Sequence, residues 1–259
     1  MRSILLSDKG EIEAFLRRNI FLHIYSIGDL DEFFWPYTTW YGSKIGGELR
    51  HVALLYSGAS IPTLLALADE RIEEMRDLFA SIRHLLPGRF YAHLSEGLSD
   101  GFKEGDTIHS HGIHYKMGLT NRSRCSEVDT SEATVMADHD LPDLLDLYAA
   151  SYPGHWFVPG MLETGLYFGI WRDRTIVSVA GVHVYSRAYR VAALGNITTR
   201  PGYRGKGLAR TVTARLCQAL LPTVDHIGLN VKADNQSAIA CYRALGFETV
   251  ATYEECLIG

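Results

Sequence analysis

The sequence predicts an α/β (α+β) protein whose C-terminal half is the better defined, and three observations lead there. Val191 to Thr199 is apolar and β-branched, Pro201-Gly202 breaks it, and Leu208, Val212, Leu216 and Leu220 then recur on one helical face, so a strand runs through a glycine-rich turn into a helix. Three β-type runs, Leu166 to Arg172, Ile176 to Tyr185 and Val191 to Thr199, follow one another across the turns Asp173-Arg174 and Ser186-Arg187. The N-terminal half shows a similar succession of elements, and a polar stretch without periodicity, Thr120 to Ser131, reads as the linker between the two.

In order along the chain, helical patterns at about Lys9 to Arg17 and Leu22 to Phe34 precede strands at Arg50 to Tyr56 and Thr63 to Leu67. A helix from Glu70 to Leu85, a strand at Arg89 to Leu94 and another near His114 to Leu119 complete the first half. After the linker come a strand at Ala133 to Met136, a helix over Asp140 to Tyr148 capped by Asp138 or Asp140, and a short helix at Pro159 to Thr164. Beyond the three consecutive strands and the helix of Leu208 lie a short strand, Ile227 to Val231, and a helix for which Asn235 or Asp234 suits the N-cap. Gly246 suits the position just past that helix, before a last strand.

A chain of 259 residues with 47% hydrophobic and 21% charged residues has the composition of a soluble globular protein of one large or two ordinary domains. The apolar run at the N-terminus is too short for a signal peptide, and no segment approaches a membrane span. Cys125, Cys217, Cys241 and Cys256 are dispersed without paired spacing, which suggests reduced, packed thiols in a cytoplasm. A net charge of -5 argues against nucleic acid as a partner, since the only basic cluster is Arg200, Arg204, Lys206 and Arg210.

That cluster sits at the predicted strand-turn-helix junction. Free amides and the positive end of the helix dipole attract phosphate there, and Gly205 and Gly207 let an anion approach without a Cβ in the way. A Walker loop needs Ser or Thr after its Lys, but Gly207 follows Lys206. The dinucleotide fingerprint needs a third glycine where Arg210 stands. What remains, Arg204-x-x-Gly207-x-Ala209, resembles the Arg/Gln-x-x-Gly-x-Gly/Ala signature of the GNAT superfamily of acyl-CoA-dependent N-acyltransferases. Downstream, Asn235-x-x-Ala238-x-x-x-Tyr242 followed by Leu245-Gly246-Phe247 resembles the second half of the GNAT core in the same order, so the likeness covers roughly residues 130 to 259.

The resemblance implies a GNAT fold, a mixed and mostly antiparallel central sheet flanked by helices, with a catalytic domain at 130–259. Residues 1–122 are expected to form a degenerate copy without a coenzyme site, because Leu67-Ala68-Asp69-Glu70 has two acids and no glycine where a phosphate would sit. It also implies acetyl-CoA as cosubstrate. Its pyrophosphate would meet the backbone of Arg204, Gly205, Lys206, Gly207, Leu208 and Ala209, with charge help from Arg204 and Lys206. Its pantetheine arm would run along Ile197, Thr198 and Thr199 and meet Asn235 and Ala238. Tyr242 would be the general acid at the coenzyme sulfur, with a packed core tyrosine as the alternative, and a backbone N–H on the preceding strand would polarise the thioester. Acceptor contacts would come from the segment holding His155 and Trp156, whose aromatics could equally close the core, and from Asn196.

An alkylamine at neutral pH is almost wholly protonated, so something must take its proton. The strand Val191 to Thr199 offers no carboxylate. His183 on the neighbouring strand is the best candidate base, with a packed or surface histidine as the alternative and a relay through Asn196 or water as another route. His109, His111 and His114 lack a further ligand to complete a recognisable metal site, so no metal is expected. The expected protein is an acetyl-CoA-dependent N-acyltransferase acting on a small amine, as monomer or homodimer, and the competing reading is a catalytically silent acyl-CoA sensor or scaffold.

Overall fold

The computed structural model describes residues 3–102 and 107–259. These form two compact units: Met1–Lys116 with Val231–Asp234 and Thr249–Gly259, and Met117–Asn230 with Asn235–Glu248. The first unit therefore draws its last strand from the C-terminus of the chain, whereas the expected division ran 1–122 and 130–259. The reason is local pairing: Glu254 to Ile258 lie antiparallel to Leu94 to Phe90.

The first unit opens with β1 (Ser3–Leu6), α1 (Lys9–Leu16) and α2 (Ile24–Gly28), then β2 (Thr38–Ile45), β3 (Glu48–Tyr56), β4 (Thr63–Ala66), α3 (Ile72–Ile82) and β5 (Phe90–Leu94). β6 (Ile108–Leu119) follows. Asp8 caps α1 by accepting from the Glu11 N–H at 3.1 Å. The helix expected over Leu22 to Phe34 is only α2, and β1 and β2 were not foreseen. Gly46 and Gly47 (φ +61° and +87°) make the two-residue turn joining β2 to β3, a signal present in the sequence. β1 to β4 pair antiparallel in order, β4 and β5 are parallel across α3, and β12, introduced below, pairs antiparallel with β5. Met75, Leu78, Phe79 and Ile82 on α3 are buried in this unit's core with Leu64, Ala66, Phe90 and Leu94.

The second unit contains α4 (Ser123–Ser126), β7 (Thr134–Val135), α5 (Leu141–Ser151), β8 (Phe168–Arg172), β9 (Thr175–Ser186), β10 (Val191–Thr199), α6 (Leu208–Leu220), β11 (His226–Lys232) as far as Asn230, α7 (Gln236–Ala244) and the start of β12 (Phe247–Ile258). β7 to β10 pair antiparallel in order, and β10 and β11 are parallel across α6. Each unit thus repeats four antiparallel strands, a helix and a parallel fifth strand. The fold is mixed α/β and mostly antiparallel, as the sequence predicts. Val212, Leu216 and Leu220 of α6 are fully buried, each stabilising by roughly 1.5–3 kcal/mol.

The expected linker at Thr120 to Ser131 is packed structure. Cys125 is buried in α4 with its Sγ donating to the Leu245 carbonyl at 3.1 Å, and Gln218 on α6 donates to the Cys125 and Val128 carbonyls. All four cysteines are free thiols. Gly246 has φ +93° just past α7, accepts from the N–H groups of Thr120 and Asn121, and a Cβ there would lie 2.1 Å from the Asn121 carbonyl oxygen. Gly246→Ala should therefore destabilise the protein by more than about 3 kcal/mol in urea unfolding; a loss under ~1 kcal/mol would contradict this packing.

In the first unit Lys116 is buried, its ammonium 5.1 Å from the centroids of both Tyr25 and Tyr253. Burial brings its pKa down to about 7, against an opposing pull from Glu255. The unfolded chain then holds one more proton than the native one from pH 7 up to the free-lysine pKa, so this group's contribution improves as pH rises through that window. Lys116→Met should stabilise most at and below pH 7, with the gain shrinking by about 1.4 kcal/mol per pH unit above it. A gain that does not change with pH, measured by denaturation at several pH values, would exclude that titration.

Candidate active site

In the second unit the parallel register of β10 and β11 runs from Val191–His226 to Leu194–Leu229, while β10 itself continues to Thr199. On its other side, the register of β10 with β9 jumps between Gly195 and Thr198, so Asn196 and Ile197 have no cross-strand partner in that ladder. This is a β-bulge at the point where β10 is released from β11. Asn196 takes φ +53°, a strained conformation for a residue with a side chain. Two hydrogen bonds hold it: Tyr148 Oη donates to the Asn196 carbonyl at 3.0 Å, and Asn196 Nδ2 donates to Tyr167 Oη at 2.9 Å. Its Oδ1 is buried without a hydrogen-bond partner. Burial pushes the Tyr148 and Tyr167 phenols up, so both stay protonated at neutral pH.

Two glycines shape the face that carries this bulge. Gly181 on β9 pairs with Gly195 on β10. A Cβ on Gly181 would fall 2.2 Å from the Tyr167 ring, and one on Gly195 would fall 2.3 Å from His183 Nε2. Paired residues of antiparallel strands present their Cβ positions to one face, so the rings of Tyr167 and His183 lie on the same face. The sequence alone left the facing of His183 open, and the missing side chain opposite it decides the matter.

The acceptor-side segment reaches the bulge through Tyr148. The His155 ring stacks on Tyr148 at 4.6 Å, and Phe157 lies 5.3 Å from Tyr148 and 5.4 Å from Tyr167. His155 Nδ1 accepts the Phe157 N–H at 3.2 Å, which places the proton of the neutral ring on Nε2. Met161 adds its sulfur 3.3 Å from Tyr167 Oη. His155 and Asn196 are thus joined through one aromatic cluster, and Trp156 is a half-buried neighbour in sequence. Tyr148, Tyr167 and Met161 were missed from sequence; glycines inside two adjacent strands were the available signal of a close approach.

Beyond β10 the chain makes the predicted turn. Gly205 (φ +75°) and Gly207 (φ +81°) are left-handed, and a Cβ on either would meet nothing within 4 Å. Gly207 is the N-cap of α6, and no side chain caps this helix, which leaves its first-turn amides facing outward. Arg204 folds back instead of projecting: its Nε donates to the Thr199 carbonyl at 3.1 Å and its Nη2 to the Ser151 carbonyl at 3.4 Å. Lys206 Nζ stands 5.0 Å over the Tyr203 ring. Thr198 and Thr199 turn their hydroxyls onto Ser151 and Ser178 at 3.2 and 2.8 Å. Leu208 is buried and Ala209 half-buried.

On α7, Asn235 is the N-cap, its Oδ1 accepting from the Ala238 N–H at 3.2 Å. Tyr242, one turn beyond Ala238, is buried with its ring 6.1 Å from Phe247. Among the described residues His109, His111 and His114 form no group that could hold a metal: His111 lies against Tyr91, and His114 Nε2 stands 3.7 Å from Glu255. Among the described residues no helix is long and apolar enough to cross a membrane.

The sequence profile of the acetyltransferase (GNAT) family matches residues 136–247, which span both the bulged strand and the glycine turn. The chain carries a GNAT acetyltransferase domain. A GNAT-family protein from Novosphingobium aromaticivorans has a similar structure at 21% identity, covering 80% of this chain and 88% of its own, with a TM-score of 0.61. A Drosophila protein is similar over 99% of this chain and 98% of its own at 12% identity and a TM-score of 0.73. A tandem GNAT protein from the clavulanic acid biosynthesis pathway is similar at 15% identity over 99% and 97%, with a TM-score of 0.55. At these identities the likeness is one of fold. No curated protein sequence matches the chain. The likeness to acetyltransferases in sequence is therefore carried by residues 136–247 of the chain.

Proposed function

We propose that this protein moves the acetyl group of acetyl-CoA to the primary amine of a small-molecule acceptor by direct attack in a ternary complex. The reading is carried by one continuous feature: the released, bulged segment Gly195–Thr199 leading into a side-chain-free turn at the uncapped start of α6. Acetyl-CoA supplies the activated thioester. The backbone N–H groups from Arg204 to Ala209 receive its pyrophosphate with Lys206 adding charge, and Arg204 braces the turn against Thr199 and Ser151. Ile197 and Thr199 pair with the pantetheine arm as an added strand would, an N–H at the bulge polarises the thioester carbonyl, and Asn235 and Ala238 border the arm.

The acceptor enters against His155, Trp156, Asn196 and the aromatic cluster. Its ammonium gives up a proton to His183, or to water relayed by Asn196, before the C–N bond forms and the C–S bond breaks. Tyr242 donates a hydrogen bond to the departing sulfur, and the second proton shed by the acylated nitrogen ends on that sulfur, so coenzyme A leaves as the thiol. The compartment is the cytoplasm, nucleic acid and membrane are not partners, and the chain works as monomer or homodimer.

The first unit is a degenerate copy of the same fold. Arg71 caps α3 with φ +53°, at the position Gly207 holds before α6. Between β4 and β5, however, Ser95 closes the gap: its N–H donates to the Ala66 carbonyl, and its hydroxyl bonds both the N–H and the carbonyl of Ala68 at 2.8 and 2.9 Å. The seam closes the first unit's counterpart of the opening that the release of β10 from β11 makes in the second, so the first unit has no place for an arm. Calorimetric titration with acetyl-CoA followed by turnover with an amine panel tests the proposal. Saturable binding with no turnover of any amine would favour the silent sensor, and no binding would reject both.

A further inference from the structure

The first unit has a cavity of about 90 Å³ that the acyl-transfer reading leaves unused. It is walled by Arg18 and His23 from the segments after α1, Arg50 and His51 from β3, and Asp69 and Arg71 from the β4–α3 connection, with Phe15 and Glu70 beside them. Adjacent strand residues normally face opposite ways, yet Arg50 and His51 both line it. The register explains this: Ser43 pairs with His51 and Lys44 with Leu49, so Arg50 is the extra residue of a β-bulge. The cavity is too small for a nucleotide.

Its charged groups are held in place. Arg18 Nη1 donates to the Leu49 carbonyl at 3.4 Å and its guanidinium lies 5.2 Å from the Phe15 ring centroid, while Asn19 Nδ2 donates to Asp69 Oδ2 at 2.9 Å. Other polar capacity is unmet. Arg50 Nη2 stands 3.6 Å from the exposed Glu48 carboxylate, while its Nε is buried with no hydrogen-bond partner. His51 is 3% exposed, and its buried Nε2 makes no hydrogen bond, standing 3.6 Å from a Glu74 oxygen that is also without one. Burial keeps His23 and His51 neutral at physiological pH, so they offer hydrogen bonds without charge. Three guanidinium groups and two carboxylates around one small cavity match a ligand with an anionic end and a cationic end. A phosphate dianion would be repelled by Asp69 and Glu70.

We propose that this cavity binds a free α-amino acid, its carboxylate on the guanidinium groups of Arg18 and Arg50 and its ammonium on the Asp69 and Glu70 side. The site is independent of acyl transfer. The test is calorimetry and thermal shift on the full chain, without acyl-CoA, using the proteinogenic amino acids singly, with propionate, ethylamine and inorganic phosphate as controls. At least one amino acid should bind saturably where propionate and ethylamine do not. Arg50→Met should weaken it by tenfold or more (~1.4 kcal/mol). If Arg50→Met fails to fold, Asp69→Asn on the exposed rim should weaken binding instead. The Gly207→Glu protein, altered in the other unit, should bind the amino acid as wild type does, which separates the two readings. No binding by any amino acid, equal binding of phosphate, or undiminished binding by a folded variant would overturn the proposal.

Discussion

Gly207→Glu is expected to weaken acetyl-CoA binding by at least about a hundredfold, or ~2.7 kcal/mol, while leaving the protein folded. Nothing lies within 4 Å of a Cβ at this position, so the side chain meets no wall. A carboxylate there replaces an open approach to the first-turn amides of α6 with a negative charge. At about 4 Å and an effective dielectric near 20, each like-charge pair with a pyrophosphate is unfavourable by roughly 4 kcal/mol. The left-handed backbone at φ +81° adds strain for any side chain, about 1–2 kcal/mol, which lowers stability but not affinity. Gly207→Ala carries the strain without the charge, so it should bind acetyl-CoA far better than the Glu variant at a similar melting temperature. If the two variants bind alike, the pyrophosphate is not held at this turn.

Tyr242→Phe is expected to lower kcat by about a hundredfold and to change the dissociation constant for acetyl-CoA by less than about twofold. The ring is buried on α7 against Phe247, and Phe keeps that packing. Only the hydroxyl goes. A phenol near pKa 10 donating to a thiolate near 8.5 makes full proton transfer uphill by ~2 kcal/mol, so the hydroxyl acts chiefly as a hydrogen-bond donor whose value grows as charge develops on sulfur. Steady-state kinetics with the amine identified in the panel, beside calorimetry, read the two quantities separately. Unchanged kcat would return Tyr242 to the rank of a core tyrosine, and equal losses in both quantities would make it a binding residue.

Much of the site's scaffold was legible because its signals are local. The strand before the turn, the glycines at 205 and 207, the cap at Asn235 and the helix end at Gly246 each follow from how one or two residues restrict the backbone. The bulge was not legible: Asn196 in a left-handed conformation contradicts its own local preference and is held by hydroxyls of Tyr148 and Tyr167, 48 and 29 residues away. The packed segment around Cys125 reads as a linker in the sequence for the same reason, since its partners Gln218 and Leu245 are remote in sequence. The short strands β1 and β2 lack strong alternation and depend on their neighbours for stability.

The amino-acid sequence by itself determined the class of fold, the order of elements in the second unit and the glycine turn that opens α6, because helix periodicity, strand runs and glycine conformations act over a few residues. Tertiary structure alone decided which face His183 takes, which tyrosines hold the bulge, where Arg204 points and to which unit the last strand belongs. Those depend on which strands pair and which side chains a missing Cβ admits, and neither is encoded within a single element.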